Sequence, residues 1–287
     1  MPIKVADRLS CISVSGILRM IMVARTLPDV VGLHVGEPDF PTPAHIMESA
    51  ADFLRSGRVK YVPSQGLPDL REAIARKLKT ENDVQVEASD VIVTAGATEA
   101  IFLAVMATTD PGDEVIVFEP GFGNFSGTAR VASAFPVRLG YRVEDGFAKV
   151  DEAALREAVT PRTKAMVINS PNNPTGSVFP RGELEKIAEV AIPNNIAVIS
   201  DEVYDRIVYD GVKPVSMAAI PGMEDLTITL NSFSKTYAMT GLRIGYLATP
   251  NEALMQKLMA LQENVMICVS PLVQAAALTA LTGPQEC

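Results

Sequence analysis

The sequence predicts an α/β fold in which a mostly parallel central sheet is flanked by helices. Five apolar runs rich in β-branched residues predict buried strands, and each run leads directly into a polar signature. Together, run and signature occupy 91–96, 114–120, 165–176, 196–204 and 227–235. Because helix-length stretches lie between these strands, we expect a mostly parallel sheet, whose ligands bind at the carboxyl ends of the strands.

The stretches outside the strands predict helices of ordinary length. Apolar spacing, charged faces and flanking turns place these helices over 12–27, 44–56, 68–82, 97–108, 151–159, 181–191 and 252–265. The stretch 264–285 carries no charge and predicts a turn followed by a buried or subunit-facing helix. We expect two parts: an N-terminal segment of helix and loop, 1–43, and one large α/β domain, 44–287.

Composition argues against several classes of function. A net charge of −9 over 287 residues, without a basic run, argues against nucleic acid binding. The two histidines, His34 and His45, lie in one loop-rich region, so we expect neither a metal site nor a Ser-His-Asp triad. Pro271 and several polar residues interrupt 264–285, so no membrane span is expected. Three widely spaced cysteines without a CxxC pair favour the reducing cytoplasm.

Two segments of the sequence suggest an anion site and a reactive amine. Gly96, Ala97 and Thr98 lie where a strand passes into a helix, and free N–H groups at such a turn bind anions, although these three residues taken alone are better explained as a simple N-cap. Lys235 follows a buried strand, where desolvation lowers the pKa of an amine and favours Schiff-base formation. A surface lysine is the alternative. Arg243, eight residues further on, suits a phosphate, or pairs with an acid.

Three further side chains follow buried strands. Asp201 ends the run 196–200, where its carboxylate needs a cation, such as a protonated pyridine nitrogen, unless it caps a helix. Tyr204 and Asn173 can donate hydrogen bonds to a ring oxygen, since Pro174 and Gly176 fix the turn after Asn173. A phosphate site, a Schiff-base amine, a counter-ion for a ring nitrogen and two donors together match pyridoxal 5'-phosphate.

These motifs resemble those of class I/II aminotransferases, in the aspartate-aminotransferase-like branch of the fold-type-I enzymes that use pyridoxal phosphate. The resemblance runs from about residue 10 to the end and rests on GEPDF (36–40), KYVPSQG (60–66), GATEA (96–100), NSPNNPTG (169–176), SDEVY (200–204) and SFSKTYAMTGLRIGY (232–246). It implies the fold-type-I architecture for the sheet and helices, with 1–43 contributing to a small domain or to a dimer contact.

The resemblance also implies a role for each matching residue. Lys235 would hold the cofactor as a Schiff base and later move a proton between the substrate Cα and the cofactor. Asp201 would keep the ring nitrogen protonated, and Asn173 and Tyr204 would hold the ring oxygen. The implied phosphate ligands are Ala97, Thr98, Ser232, Ser234 and Arg243.

The remaining implied contacts concern the substrate, the ring face and a second subunit. Phe122 would stack on the ring, and Gly36 and Asn173 would contact the substrate carboxylate. Tyr61 would reach the phosphate of a neighbouring subunit, which implies a homodimer with shared active sites. Members of the family continue into a small domain whose arginine binds the substrate carboxylate, so we expect an incomplete small domain here and weakened substrate binding.

The implied activity is transfer of an amino group between an L-amino acid and a 2-oxo acid. The amino acid would be aspartate-like, aromatic or neutral. Two alternatives stay open, because the motifs do not separate them. One is C–S β-elimination, which also begins with loss of the Cα proton to Lys235. The other is a shortened chain that binds the cofactor without turnover.

Overall fold

The computed structural model describes residues 3–10, 12, 16–33 and 35–286, so His34 lies outside the described residues. Within them, a central sheet contains β1 (Val91–Thr94), β2 (Glu114–Glu119), β3 (Phe135–Gly140), β6 (Thr163–Asn169), β7 (Ala197–Asp201), β8 (Thr227–Ser232) and β9 (Gly245–Ala248). A separate hairpin consists of β4 (Arg142–Glu144) and β5 (Phe147–Lys149).

The sheet is mostly parallel, as the sequence predicts. Its strand order is β1-β9-β8-β7-β6-β2-β3. The neighbours from β3 to β8 pair in parallel, whereas β9 runs antiparallel to both β8 and β1. All five predicted strands are present. The sequence analysis missed β3, β9 and the hairpin, which are short or partly exposed.

Ten helices surround the sheet in the described part of the chain. They are α1 (Gly16–Ala24), α2 (Ala44–Arg55), α3 (Pro68–Glu81), α4 (Ala97–Thr108), α5 (Asn124–Val131), α6 (Glu152–Ala158), α7 (Arg181–Asn194), α8 (Phe233–Thr236), α9 (Glu252–Val265) and α10 (Pro271–Thr282). The predicted bounds of α4 and α9 are confirmed. α7 runs three residues beyond its predicted end, to a left-handed C-cap at Asn195. α5 and the single-turn α8 were not predicted.

The core has a layer on each face of the sheet because side chains alternate along buried strands. Val115 and Val117 of β2 pack with α4, α5 and α9, whereas Ile116 between them packs with α6 and α7. A third cluster joins α2, α3 and α10 to Val91 and Val93 of β1. The predicted helix in the uncharged stretch is therefore α10, which buries Gln274 and several alanines, including Ala276, against the domain.

The strand register brings the predicted site residues to one edge of the sheet. Asn169, the last residue of β6, pairs with Asp201, the last residue of β7. β8, parallel to β7, ends next in the sheet at Ser232. No helix among the described residues is both long and apolar enough to cross a membrane.

Candidate active site

A cavity of about 310 Å³ lies at the carboxyl ends of β6, β7 and β8. Its wall includes eleven of the residues predicted from the sequence, namely Gly36, Ala97, Thr98, Phe122, Asn173, Asp201, Tyr204, Ser232, Ser234, Lys235 and Arg243. Tyr61 is the exception: it does not line the cavity, and 84% of its surface is exposed. Residues separated by up to about two hundred positions in sequence therefore meet in one place.

The part of the cavity at the start of α4 presents groups that suit an anion. α4 begins at Ala97 after Gly96, whose φ of 85° lies in the left-handed region. A Cβ at Gly96 would lie 2.6 Å from Nη2 of Arg243, so only glycine lets the guanidinium approach this turn. The Arg243 Nη1 donates to the carbonyl of Thr240 at 2.8 Å. No carboxylate of the described residues forms an ion pair with Arg243, so its charge is available to a ligand.

Two serine hydroxyls complete the anion site. Ser232 caps α8, its Oγ accepting from the Ser234 N–H at 3.1 Å, and the two hydroxyls lie 2.8 Å apart. A Cβ on Gly245 would lie 2.9 Å from the Ala97 nitrogen, so glycine is needed where β9 passes the start of α4. Helix N–H groups, hydroxyls and a guanidinium together match the oxygens of a phosphate.

The part of the cavity at the end of β7 carries a buried carboxylate. Asp201 is 5% exposed, and its Oδ1 accepts from the Val203 N–H at 3.2 Å. Burial raises the pKa of Asp201 from its ordinary value of 3.8 to about 7. No cationic side chain of the described residues pairs with it. A turn over 203–206 follows instead of a helix, so the capping role considered from the sequence is reduced to this one local bond.

Tyr204 and Asn173 lie beside this carboxylate. The Asn173 side chain hydrogen-bonds the Tyr204 phenol, and the Asn173 N–H donates to Oδ1 of Asn169 at 2.7 Å. Burial and the charge of Asp201 raise the pKa of Tyr204. The phenol therefore stays protonated at neutral pH and can donate to a ligand oxygen. Phe122, against the cavity, packs edge-on to Phe125 with ring centroids 5.7 Å apart.

Lys235 lies in α8, between the anion site and the N-terminal loop. Its Nζ donates to the carbonyl of Gly36. Burial lowers the pKa of Lys235, and the Arg243 charge lowers it further, whereas Glu37 opposes both. A larger fraction of neutral amine follows at neutral pH, as nucleophilic attack requires.

The sequence analysis missed three polar residues of the site. Asn169 ends β6, and its Nδ2 donates to the Asp201 carbonyl at 3.0 Å, which fixes the end of β7. Glu37 accepts from the Thr240 hydroxyl and joins the N-terminal loop to the segment after Lys235. Asn169 could have been found as the polar end of a predicted strand. Glu37 and Thr240 could not, because their contact depends on tertiary structure.

The described residues contain no group of three or more His, Cys, Asp or Glu side chains that could hold a metal ion. A second groove of about 620 Å³ adjoins the cavity and shares Asn173 and Tyr204 with it. Its other lining is mostly apolar, with Phe147, Pro171 and Tyr209 among it. The groups that can bind an anion, carry a reactive amine and accept a cation are all found in the first cavity.

Comparison with known proteins gives a consistent set of relatives. The family model described as aminotransferase class I and II matches residues 28–287. The chain is 41% identical over 278 residues to an aspartate aminotransferase of Pyrococcus abyssi, covering 96% of this chain and 71% of that protein. It is 44% identical over 259 residues to a probable aspartate/prephenate aminotransferase of Aquifex aeolicus, covering 90% of this chain and 65% of that protein.

Solved structures agree with the sequence relatives. The aspartate aminotransferase of Thermus thermophilus with maleate superposes with a TM-score of 0.91 at 37% identity. That alignment covers 98% of this chain and 73% of the other. The fold described above is thus the fold of these enzymes over nearly the whole of this chain.

Proposed function

This chain belongs to the class I and II aminotransferases, a family of pyridoxal-phosphate-dependent enzymes, and we propose that it transfers an amino group between an L-amino acid and a 2-oxo acid. The observation that carries the proposal is the cavity itself. It combines an anion site, an amine of lowered pKa and a buried carboxylate without a cationic partner among the described residues.

The residues of the cavity fit the cofactor at three points. The N–H groups at the start of α4 with Thr98, Ser232, Ser234 and Arg243 suit its phosphate. A protonated ring nitrogen would supply the cation that buried Asp201 lacks, since a buried carboxylate is stabilised by an opposite charge. Lys235 is the amine that we propose binds the aldehyde carbon.

The chemistry divides between cofactor and protein. When bound, the cofactor withdraws electrons from the substrate Cα and so makes its proton easier to remove. The amine of Lys235 would accept that proton and return one, because its lowered pKa increases the fraction of neutral amine that can act as a base. Tyr204 and Asn173 would donate hydrogen bonds to the ring oxygen of the cofactor, and Phe122 would pack on the ring.

For the substrate, we propose an aspartate-like amino acid first, with aromatic or neutral amino acids as the other candidates. The names of the similar proteins, which refer to aspartate and prephenate, support this order. The Gly36 N–H and the Asn173 amide are the proposed contacts of the substrate carboxylate. Both residues border the cavity, as this role requires.

We also propose that the chain forms a homodimer with shared sites. Tyr61 is well exposed and outside its own cavity, where it is free to enter a neighbour's. Apolar side chains of α1, including Ile17, Met20 and Met22, are also exposed, and exposed apolar patches mark interaction surfaces. A cytoplasmic location is proposed from the cysteine pattern alone.

The proposal is tested by the first half-reaction. Purified protein loaded with pyridoxal phosphate is mixed with aspartate, tyrosine or alanine, and absorbance and the 2-oxo acid product are followed. We expect the cofactor to be converted to pyridoxamine phosphate with one equivalent of 2-oxo acid. Release of pyruvate and ammonia from a cysteine conjugate, without consumption of a 2-oxo acid, would indicate the β-lyase instead. A bound cofactor that no amino donor changes would mean a chain that binds without turnover.

A further inference from the structure

Two segments of the site are joined by a contact that lies outside the cavity. Tyr204 is on the turn 203–206, and Lys235 is in α8. Arg206, two residues after Tyr204, donates from Nη1 to the hydroxyl of Tyr237 at 2.9 Å. Tyr237 lies two residues after Lys235. Neither Arg206 nor Tyr237 lines the cavity. Their hydrogen bond therefore joins the two segments at a point outside the cavity.

The guanidinium of Arg206 is held on its other side by α3. Its Nε donates to Oε2 of Glu81 at 2.9 Å and its Nη2 to Oε1, a bidentate arrangement that fixes the guanidinium plane. Gln285 accepts from Nη1 of Arg206 at 2.9 Å and from the Tyr237 hydroxyl at 3.0 Å. The two partners of the Arg206–Tyr237 bond therefore have little freedom to separate.

Tyr237 is well placed to transmit this constraint to α8. Tyr237 is only 6% exposed, and its ring stacks on Phe233, the first residue of α8, with centroids 5.8 Å apart and planes at 28°. The Tyr237 N–H donates to the Phe233 carbonyl at 3.2 Å. Lys235 is thus in a single helical turn whose start and end are both tied to the Tyr237 ring and backbone.

The Tyr204 turn has a second anchor at Asp205. The Asp205 carboxylate pairs with Lys77 of α3 and accepts from Nδ2 of Asn82 at 3.2 Å. The side chains of Lys77 and Asp205 are 8% and 7% exposed. A buried pair of this kind resists displacement because separating it leaves an uncompensated charge. These contacts restrict movement of the Tyr204 turn. Through the Arg206–Tyr237 bond they also restrict movement of α8, which carries Lys235.

We propose that Arg206 and Tyr237 are positioning residues, which hold the amine of Lys235 in place relative to the phenol of Tyr204. The inference rests on the proposed function in one respect, namely that Lys235 is the reacting amine. A one-turn helix has few backbone bonds of its own, so its side chain needs an external support to stay in one place. Without the Arg206–Tyr237 bond, α8 would be held less firmly, and the amine of Lys235 would be more exposed to solvent.

The test measures the reactivity of Lys235 in the cofactor-free protein. Its rate of acetylation by acetic anhydride is followed by peptide mass spectrometry from about pH 6 to about pH 10. The variants are Tyr237→Phe, Arg206→Gln, Arg206→Lys and the double variant Tyr237→Phe/Arg206→Gln. Tyr237→Phe keeps the stacked ring and the net charge, so it isolates the hydrogen bond. Arg156→Gln, which removes a surface ion pair with Glu152 and Glu189, is the matched control.

We expect Tyr237→Phe and Arg206→Gln to raise the pH midpoint of Lys235 labelling, because added solvent stabilises the charged amine. A rise of about half a pH unit slows labelling about threefold near pH 7. The double variant should shift the midpoint no further than the larger single shift, and Arg206→Lys should shift it less than Arg206→Gln. The Arg156→Gln control should match the unchanged protein.

A Lys235 profile unchanged in both single variants, together with a lower unfolding temperature, would overturn the proposal and leave the contact a structural one. An equal shift in the Arg156→Gln control would also overturn it. Labelling needs no cofactor and no substrate, so the result stands whether or not the chain transfers amino groups. Failure of this proposal is therefore distinguishable from failure of the proposed function.

Discussion

The two ends of the cavity differ in charge and in how the protein maintains that charge. At the α4 end, Arg243 and helix N–H groups present positive charge at a turn kept open by Gly96. At the β7 end, Asp201 is buried with no cationic partner among the described residues, and its raised pKa reflects that cost. The α4 end offers positive charge to an anionic ligand, whereas the carboxylate at the β7 end would be stabilised by a cationic one. A ligand with a phosphate on one side and a basic nitrogen on the other satisfies both.

Lys235 lines the same cavity, and its removal should have the largest effect on turnover. Lys235→Ala removes the amine that we propose both binds the aldehyde and moves the Cα proton. We expect turnover to fall by about 10⁴-fold or more, the upper range for loss of a general base. Steady-state rates with aspartate and 2-oxoglutarate measure it. Lys257→Ala, on the exposed face of α9, is the matched control and should retain full activity. Equal rates in the two variants would contradict the assignment.

Because Asp201 is buried, we predict that the free energy of unfolding depends on pH in an unusual way. The folded pKa of Asp201 is raised to about 7, so between its ordinary value and pH 7 the folded state holds a proton that the unfolded state has lost. The stability that this proton provides is complete at low pH and is lost as the pH rises toward 7. The upper limit of the loss is about 4 kcal/mol.

Urea unfolding of the cofactor-free protein across this pH range checks the prediction. Glu202, whose pKa burial also raises to about 7, contributes in the same direction, so Asp201→Asn should reduce the slope without abolishing it. Saturating cofactor should flatten the profile further, because a cation then faces Asp201. A profile for Asp201→Asn identical to that of the unchanged protein would show that Asp201 does not carry the effect.

The same carboxylate should control how tightly the cofactor is held. Asp201→Asn keeps the shape of the side chain but removes the charge that we propose faces the ring nitrogen. Loss of one partner of a buried pair costs about 3 kcal/mol, so the Kd for pyridoxal phosphate should rise a hundredfold or more. Equilibrium dialysis measures the Kd, with the exposed Asp52→Asn as control. An unchanged Kd would contradict the proposal that Asp201 binds the cationic ring nitrogen.

The α4 end should contribute less, because several groups share the anion. Arg243→Gln removes the charged donor but leaves the helix N–H groups and the serine hydroxyls. Charge-assisted hydrogen bonds contribute about 2 kcal/mol, so the Kd for pyridoxal phosphate should rise about thirtyfold. Arg181→Gln, in a surface pair with Glu185, is the control. The Kd for pyridoxal without its phosphate should change little in Arg243→Gln, and a comparable loss for both ligands would contradict the phosphate assignment.

The comparison of the two ends also indicates what the sequence can predict. Asp201 ends a strand that its β-branched apolar run identifies, and Asn173 and Lys235 follow two further strands of this kind. The parallel order of those strands brings the three residues together. β9, Gly245–Ala248, was not predicted because its four residues include glycine and alanine and no β-branched residue. Its passage beside α4 is nevertheless what brings Arg243 to the anion site.

Contacts between distant side chains lie beyond prediction from one sequence. Glu37 with Thr240, and Arg206 with Tyr237, are pairs of residues far apart in sequence whose spacing carries no pattern. Their partners are set by how loops fold over the sheet. Tyr61 is a different case: its predicted role depends on a second subunit, so the fold of one chain neither requires nor opposes it.

The most direct measurement of the central claim is reductive trapping of the cofactor. The folded protein is incubated with pyridoxal phosphate and reduced with borohydride, and its peptides are mapped by mass spectrometry. We predict a visible absorbance band before reduction and a single phosphopyridoxyl group on Lys235 after it. A folded protein that stays colourless in excess cofactor, or one that carries the group on surface lysines in place of Lys235, would contradict the account.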